Sequence, residues 1–250
     1  MNVTRWGRGR TNFKIGHFDV PFGLEPLVDT HFTLHQYATR HDTGFKKDWA
    51  MSVNGAWPDF EYEVSLTRGT GLDFTGDDVD PYLVAGRIGT PSDRNVHAEL
   101  SALYGEIVSD GGFHFVDDSD PAGARAEAAG VLRRLRVGVD WAWLVDQFTW
   151  RSQVSGGRDR DQDAFNMVTE LHWTTVDEKL RLYLQGLYIG QDAFTKWDED
   201  VFIRLGMVWS IQERLTFSAQ VSQDVARWIE SIGGVHLKDT LFAFQFRLRF

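Results

Sequence analysis

His31 and His35 stand four residues apart with His41 close behind, a spacing that on a helix puts two imidazoles on one face and suits zinc. The Glu of a His-Glu-x-x-His site is missing, so the zinc reading is weak. Acidic runs holding Asp77, Asp78 and Asp80, then Asp117, Asp118 and Asp120, offer hard oxygen ligands of the kind calcium takes, although solvated loop charge explains them as well. Nucleophilic catalysis needs a serine within reach of a histidine that a third group orients. Ser101 with His97 is one such pair, and His114 and His172 are further bases. Cysteine is absent, which removes thiol chemistry, thiolate metal sites and disulfides together. The glycine pairs at 111–112, 156–157 and 233–234 are not followed by the Lys-Ser/Thr of a phosphate-cradling loop. Neither a cofactor nor an enzyme is therefore expected. What remains is a large set of arginines, some of them two residues apart, and their role depends on the elements that carry them.

The chain has 250 residues and a formal net charge of −10. Such a chain lacks the basic face of a nucleic-acid binder, so no nucleic-acid partner is expected. Hydrophobic residues make up 42% and the mean hydropathy is −0.31, yet aromatics reach 14%, with 18 Phe and 10 Trp. No apolar run approaches the roughly 20 residues of a membrane-spanning helix. The combination fits strands with lipid on one side and water on the other, flanked by aromatic girdles. The first residues, Met1 to Trp6, lack the charged and apolar regions of a secretory leader. The chain therefore reads as a mature, recombinant or truncated form.

Period-two alternation supplies those strands. It is clearest from Leu241 to Phe250, where Phe242, Phe244, Phe246, Leu248 and Phe250 share one face and Ala243, Gln245, Arg247 and Arg249 the other. Like segments are predicted at 11–20, 47–57, 60–68, 82–90, 95–104, 132–143, 147–156, 165–175, 180–189, 200–211, 214–223 and 240–250. Short turns alternate with longer loops at 21–46, 69–81, 105–131, 157–164, 190–199 and 224–239. An even number of strands, about twelve, with turns of alternating length is the layout of an all-β, antiparallel transmembrane barrel with short periplasmic turns and long extracellular loops. Residues 1–250 are read as one such domain. A soluble sandwich would have strands of about half this length.

The stretch Phe13-Lys14-Ile15-Gly16-His17-Phe18-Asp19-Val20-Pro21-Phe22-Gly23-Leu24-Glu25 resembles the strand and loop entry of the phosphate-selective porin O and P channels, in which a Gly-aromatic strand ends in Pro-Phe-Gly. The terminal Phe250, preceded by alternating aromatics, is similar to the signal read by the outer-membrane barrel-assembly machinery. The resemblance implies a bacterial outer-membrane porin. Barrels of that family are larger and form trimers, so the chain is either a smaller relative or the C-terminal part of a larger barrel. The family's basic solute-binding residues find no match position by position, and none is carried over. No segment resembles the serine motif of the outer-membrane phospholipase barrels.

If the apolar parity faces lipid, the other parity faces the lumen. It carries Arg87, Arg134, Arg136, Arg151, Arg181, Arg204, Arg247 and Arg249 against Glu61, Glu63, Glu99, Asp140 and Glu170. Two readings stay open: an arginine lining that leans toward anions, or a network of arginine–carboxylate pairs that only braces the wall. The long segment from Pro21 to Lys46, with a short helix at 29–37 capped by Asp29, either folds into the lumen or lies on the surface against lipopolysaccharide or a neighbouring protomer. The expected function is passive diffusion of small polar or anionic solutes. The alternatives are a scaffold barrel around an outer-membrane protein partner and, less favoured, an outer-membrane hydrolase. Outer-membrane lipids, and a second copy of the chain, are the other expected partners.

Overall fold

Backbone amides and carbonyls inside hydrocarbon have no water to bond, so a chain that crosses a membrane with strands must pair every strand with its neighbours. The computed structural model describes residues 2–6, 10–24, 26, 42–71, 81–109, 130–193, 196–212, 215–225 and 240–248. They form β1 (Asn2–Trp6), β2 (Thr11–Asp19), β3 (Lys47–Ala56), β4 (Glu61–Thr67), β5 (Leu83–Gly89), β6 (Val96–Ser109) and β7 (Gly130–Val145). The chain continues through β8 (Phe148–Asp159), β9 (Gln162–Thr174), β10 (Leu180–Ala193), β11 (Lys196–Gln212), β12 (Leu215–Asp224) and β13 (Thr240–Leu248). All lie in one antiparallel sheet whose spatial order is the chain order. Among the described residues no ladder joins β13 back to β1 or β2.

The twelve expected strands are β2 to β13. The additional β1, too short to show a period, pairs with the first half of β2. The alternation sorts side chains as predicted. On β10 Leu184 is 50% exposed while Gln185 beside it is fully buried, and on β7 Leu135, Val137 and Val139 face out while Arg134, Arg136 and Asp140 face in. The outward aromatics gather in two rows. Trp57, Phe60, Trp143, Phe148, Trp150, Trp173 and Trp209 lie near the short turns. Trp49, Tyr82, Tyr104, Phe165, Tyr188 and Trp197 lie toward the long-loop end. There the Trp197 indole donates to the Tyr188 hydroxyl at 3.0 Å, and that hydroxyl donates to Glu199 at 2.9 Å, so the polar tips find partners where lipid ends.

Two of the expected long loops are not loops. Asp159 pairs directly with Gln162 across a two-residue turn, and Ala193 pairs with Lys196, so the described residues of 157–164 and 190–199 belong almost wholly to strand ends. Arg160 takes φ 55° and Asp146, in the β7–β8 turn, φ 50°, the positive φ that two-residue hairpin turns require. The physical reason is that apolar alternation stops where lipid stops, whereas the hydrogen-bond ladder need not. β7 with 16 residues and β11 with 17 outrun the roughly 9–11 that a tilted strand needs to cross. The β6–β7 connection narrows in the same way, to 110–129.

The curl of the sheet is fixed by the chain after β2. Val20 and Phe22 pack on Leu83 and Ala85 of β5, Leu103 and Ile107 of β6 and Leu132 of β7, while Leu24 packs on Val168, Leu187 and Ile189 of β9 and β10, with Phe202 of β11. In a flat sheet β5 and β11 would be about 29 Å apart, whereas five residues span at most about 17 Å. The wall therefore wraps around this segment as a barrel wall does.

A charge on the lipid face at mid-height must be expensive. Leu184→Arg is expected to cost about 2–4 kcal/mol, read by urea unfolding in lipid vesicles, whereas Val176→Arg in the exposed β9–β10 turn changes stability by less than about 0.5 kcal/mol.

Candidate functional site

The inner face brings together three groups of polar side chains, each spread over neighbouring strands because residues two apart on one strand point the same way. Near the short-turn end, the Lys14 ammonium lies 2.6 Å from Glu63, which also accepts from Ser52 at 2.9 Å. Arg87 reaches Glu63 at 3.8 Å and Glu99 at 3.4 Å. Glu61 accepts from the backbone N–H and hydroxyl of Ser92 and so fastens the β5–β6 turn. Asn12, Lys14, Asn54, Glu61, Glu63 and Arg87 line a cavity of about 420 Å³.

A second group lies toward the long-loop end. Arg134 grips Asp159 with two hydrogen bonds, at 2.8 and 2.6 Å, and Arg136 reaches the same carboxylate at 2.8 Å. Beside them sits Asp42, in the C-terminal part of the β2–β3 loop. It accepts from Ser155 at 2.6 Å, Asn166 at 2.7 Å and Gln153 at 2.9 Å, with Arg136 3.9 Å away and Arg134 donating to its backbone carbonyl at 3.2 Å. Burial pushes the Asp42 carboxyl above the ordinary carboxylate range, against the Ser155 hydrogen bond and the charge of Arg136.

The third group runs across β8 to β12. Glu170 pairs with His172 and lies 3.9 Å from Arg151. Gln185 donates to Glu170 at 2.8 Å and accepts from Arg204 at 2.8 Å, and Arg204 donates to Ser222 at 3.2 Å. Tyr183 donates to Gln220 at 2.8 Å, its ring lying so close to Gly206 that a Cβ there would overlap it. Arg181 and Arg247 hold the same inward parity at the short-turn end, Arg181 exposed to solvent; Arg249 lies outside the described residues.

The predicted lining residues thus face inward, but their company differs from expectation. Arg87, Arg134, Arg136 and Arg151 each have a carboxylate partner. Four acidic residues absent from the predicted lining are also drawn to the inner face, Asp42, Asp48 and Asp224 buried and Asp159 half-buried beside Arg134 and Arg136. Among the described residues the expected excess of basic over acidic lining is therefore not present, because the strand ends and the loop supply further acids. Gln153, Ser155 and Asn166 are further interior residues that inner parity on β8 and β9 would have revealed. Asp42 carried no signal, since its partners are 92 to 124 residues away in sequence.

Of the 21–46 segment, the described ends are inside the barrel. The backbone N–H of Val20 donates to the Lys46 carbonyl at 2.9 Å, that of Gly23 donates to Ser101 at 3.3 Å, and that of Leu24 to Gln153 at 2.8 Å. Ser101 is thereby engaged with the loop. No hydrogen bond joins it to His97, whose Nδ1 lies 3.4 Å from the Thr90 hydroxyl. The short helix expected at 29–37, the histidines 31, 35 and 41, His114 and the two acidic runs lie outside the described residues.

An outward apolar band between aromatic rows, a polar inner wall and strands paired in chain order define a bacterial outer-membrane β-barrel, and the outer membrane is its place. Among solved structures, the chain is similar to OmpT, an outer-membrane protein of Vibrio cholerae, with a TM-score of 0.59 at 10% identity over 86% of this chain and 66% of that one. A form of that protein lacking loop L8 gives 0.62 at 10% identity over 87% and 71%. A porin gives 0.56 at 11% identity over 96% of this chain and 77% of that one. The chain thus spans about two thirds of the length of the first of these. No family model and no curated protein matches the sequence.

Two substitutions probe the loop's anchorage. Asp42→Ala leaves Arg136, Gln153, Ser155 and Asn166 facing one another and is expected to destabilise the docked loop by about 3–5 kcal/mol, seen as faster proteolytic cleavage within 25–41 while the barrel itself stays intact. Gly138→Val should act alike, since a Cβ there would come within 3.1 Å of the Phe22 ring.

Proposed function

We propose that this protein is a passive outer-membrane channel for small polar solutes, with the β2–β3 loop setting the aperture. The observation that supports it best is the inner wall, which is built of hydrogen-bonding and charged side chains from β2 to β13 and opens into the 420 Å³ cavity among Lys14, Glu61 and Arg87. Water-filled barrels need such a wall. The paired arginines favour a weakly selective pore over one with a strong preference for anions, since a cation matched to a carboxylate adds little to the local field. The apolar seals around Phe22 and Leu24 favour one other reading, a largely closed barrel with a structural role. Outer-membrane lipids and lipopolysaccharide against the outer band, and a second copy of the chain or another outer-membrane protein beside it, are the proposed partners.

The test is single-channel recording in planar bilayers under a salt gradient. The expected result is discrete conductance steps with a reversal potential close to zero, and larger steps for Asp42→Ala. Folded, inserted protein without conductance would replace the channel by the structural barrel. A reversal potential displaced strongly toward the anion equilibrium potential would restore the anion-leaning lining.

A further inference from the structure

Most buried charges on the inner wall have a partner, with a conspicuous exception on β6 and β7. Glu99 and Asp140 are register partners, both inward and both buried, Asp140 completely. Neither Asp140 oxygen has a hydrogen-bond donor among the described residues, nor has Glu99 Oε1, nor is Nε2 of the adjacent inward His97 hydrogen-bonded. The other Glu99 oxygen is served by Arg87 at 3.4 Å, with His97 at 3.6 Å. Of the neighbours, His97 has a ring nitrogen to spare, but its Nε2 lies at 3.6 Å on the Glu99 oxygen that Arg87 already serves. Arg87 is shared with Glu63. Gln153, which faces Asp140 from β8, gives its amide N–H to Asp42 and accepts from Leu24 with its oxygen.

Two adjacent buried carboxylates with three unserved oxygens repel one another and have lost their hydration, a costly arrangement unless something positive lies between them. A single shared proton makes one oxygen a donor to a second and leaves the third unserved. A hard divalent cation engages all three, at distances of about 2.3–2.6 Å for calcium. We propose that Glu99 and Asp140 form a seat for one calcium-type cation on the inner wall. Among the described residues no three His, Asp or Glu side chains converge on one point, so the seat is a two-carboxylate one whose remaining ligands are water. It lies one inward position from Ser101 and Gly138, where the Gly23 N–H and the Phe22 ring dock. A cation there offsets negative charge directly beneath the loop. This holds whether or not the barrel conducts.

The experiment is calcium titration of chelator-treated, refolded protein by calorimetry, with thermal unfolding followed in parallel by heat-modifiable gel mobility. The native chain is expected to take up one equivalent at this seat and to unfold at a higher temperature in calcium. Asp140→Asn and Glu99→Gln, both close in shape to the native residue, are each expected to lose that equivalent and the shift, and Asp140→Asn to unfold above the native chain in chelator, because it removes an uncompensated charge. Uptake unchanged in both variants would move the site elsewhere and overturn the proposal. So would calcium indifference of the native chain combined with stabilisation by Asp140→Asn, which would assign a shared proton to the pair.

Discussion

A strand that passes through lipid has no solvent for its amide groups, and the structure follows from that one constraint. It forces each strand onto its chain neighbour and gives a sheet in which spatial order and sequence order coincide. It also fixes the period of the sequence, since a pleated ladder sends every second side chain to the same medium. Leu184 and Gln185, adjacent in the chain, meet hydrocarbon and a hydrogen-bonded interior respectively. The molecule is thus inverted relative to a soluble protein: apolar outside, polar within.

Inversion creates a second problem. Charges placed inside a confined, poorly hydrated space are costly unless matched, and the wall matches them by cross-strand pairing. Arg134 and Arg136 share Asp159, and Glu170, Gln185 and Arg204 form a relay across β9 to β11. The same economy fastens the β2–β3 loop. The Asp42 carboxyl enters a ring of amides and guanidinium groups on β7, β8 and β9, while Phe22 and Leu24 fill apolar recesses that would otherwise be wet. The described ends of the loop and the wall are therefore one folded unit, with an interior core of mixed polarity.

The alternation made the strands, their order and the inward parity of Arg87, Arg136, Asp140, Glu170 and Arg204 legible, because period two is imposed by the medium and leaves a trace in every strand. Three things were not legible, for separate reasons. Strand ends above the lipid, such as Asp159 and Gln162, carry polar residues on both faces and look like loop. The five residues of β1 are too few for a period. The partners of Asp42 and Gly23 are brought together only by the curl of the wall, a long-range event with no local signature, so the balance of charge in the interior stayed hidden until those acids were placed.

The position of the loop has a consequence for the order of assembly. Each strand pairs with the next one in the chain, so the sheet can grow hairpin by hairpin from either end. The segment Val20–Leu24 leaves β2, near the beginning, yet its seat is built from strands as late as β11. When the sheet grows from its N-terminal side, this apolar segment has nowhere to dock for most of that growth, and its burial is deferred until the wall has curled far enough to receive it. Docking of Phe22 and Leu24 is in that sense a closing step, one that reports from the front of the chain that the strands behind it are in register.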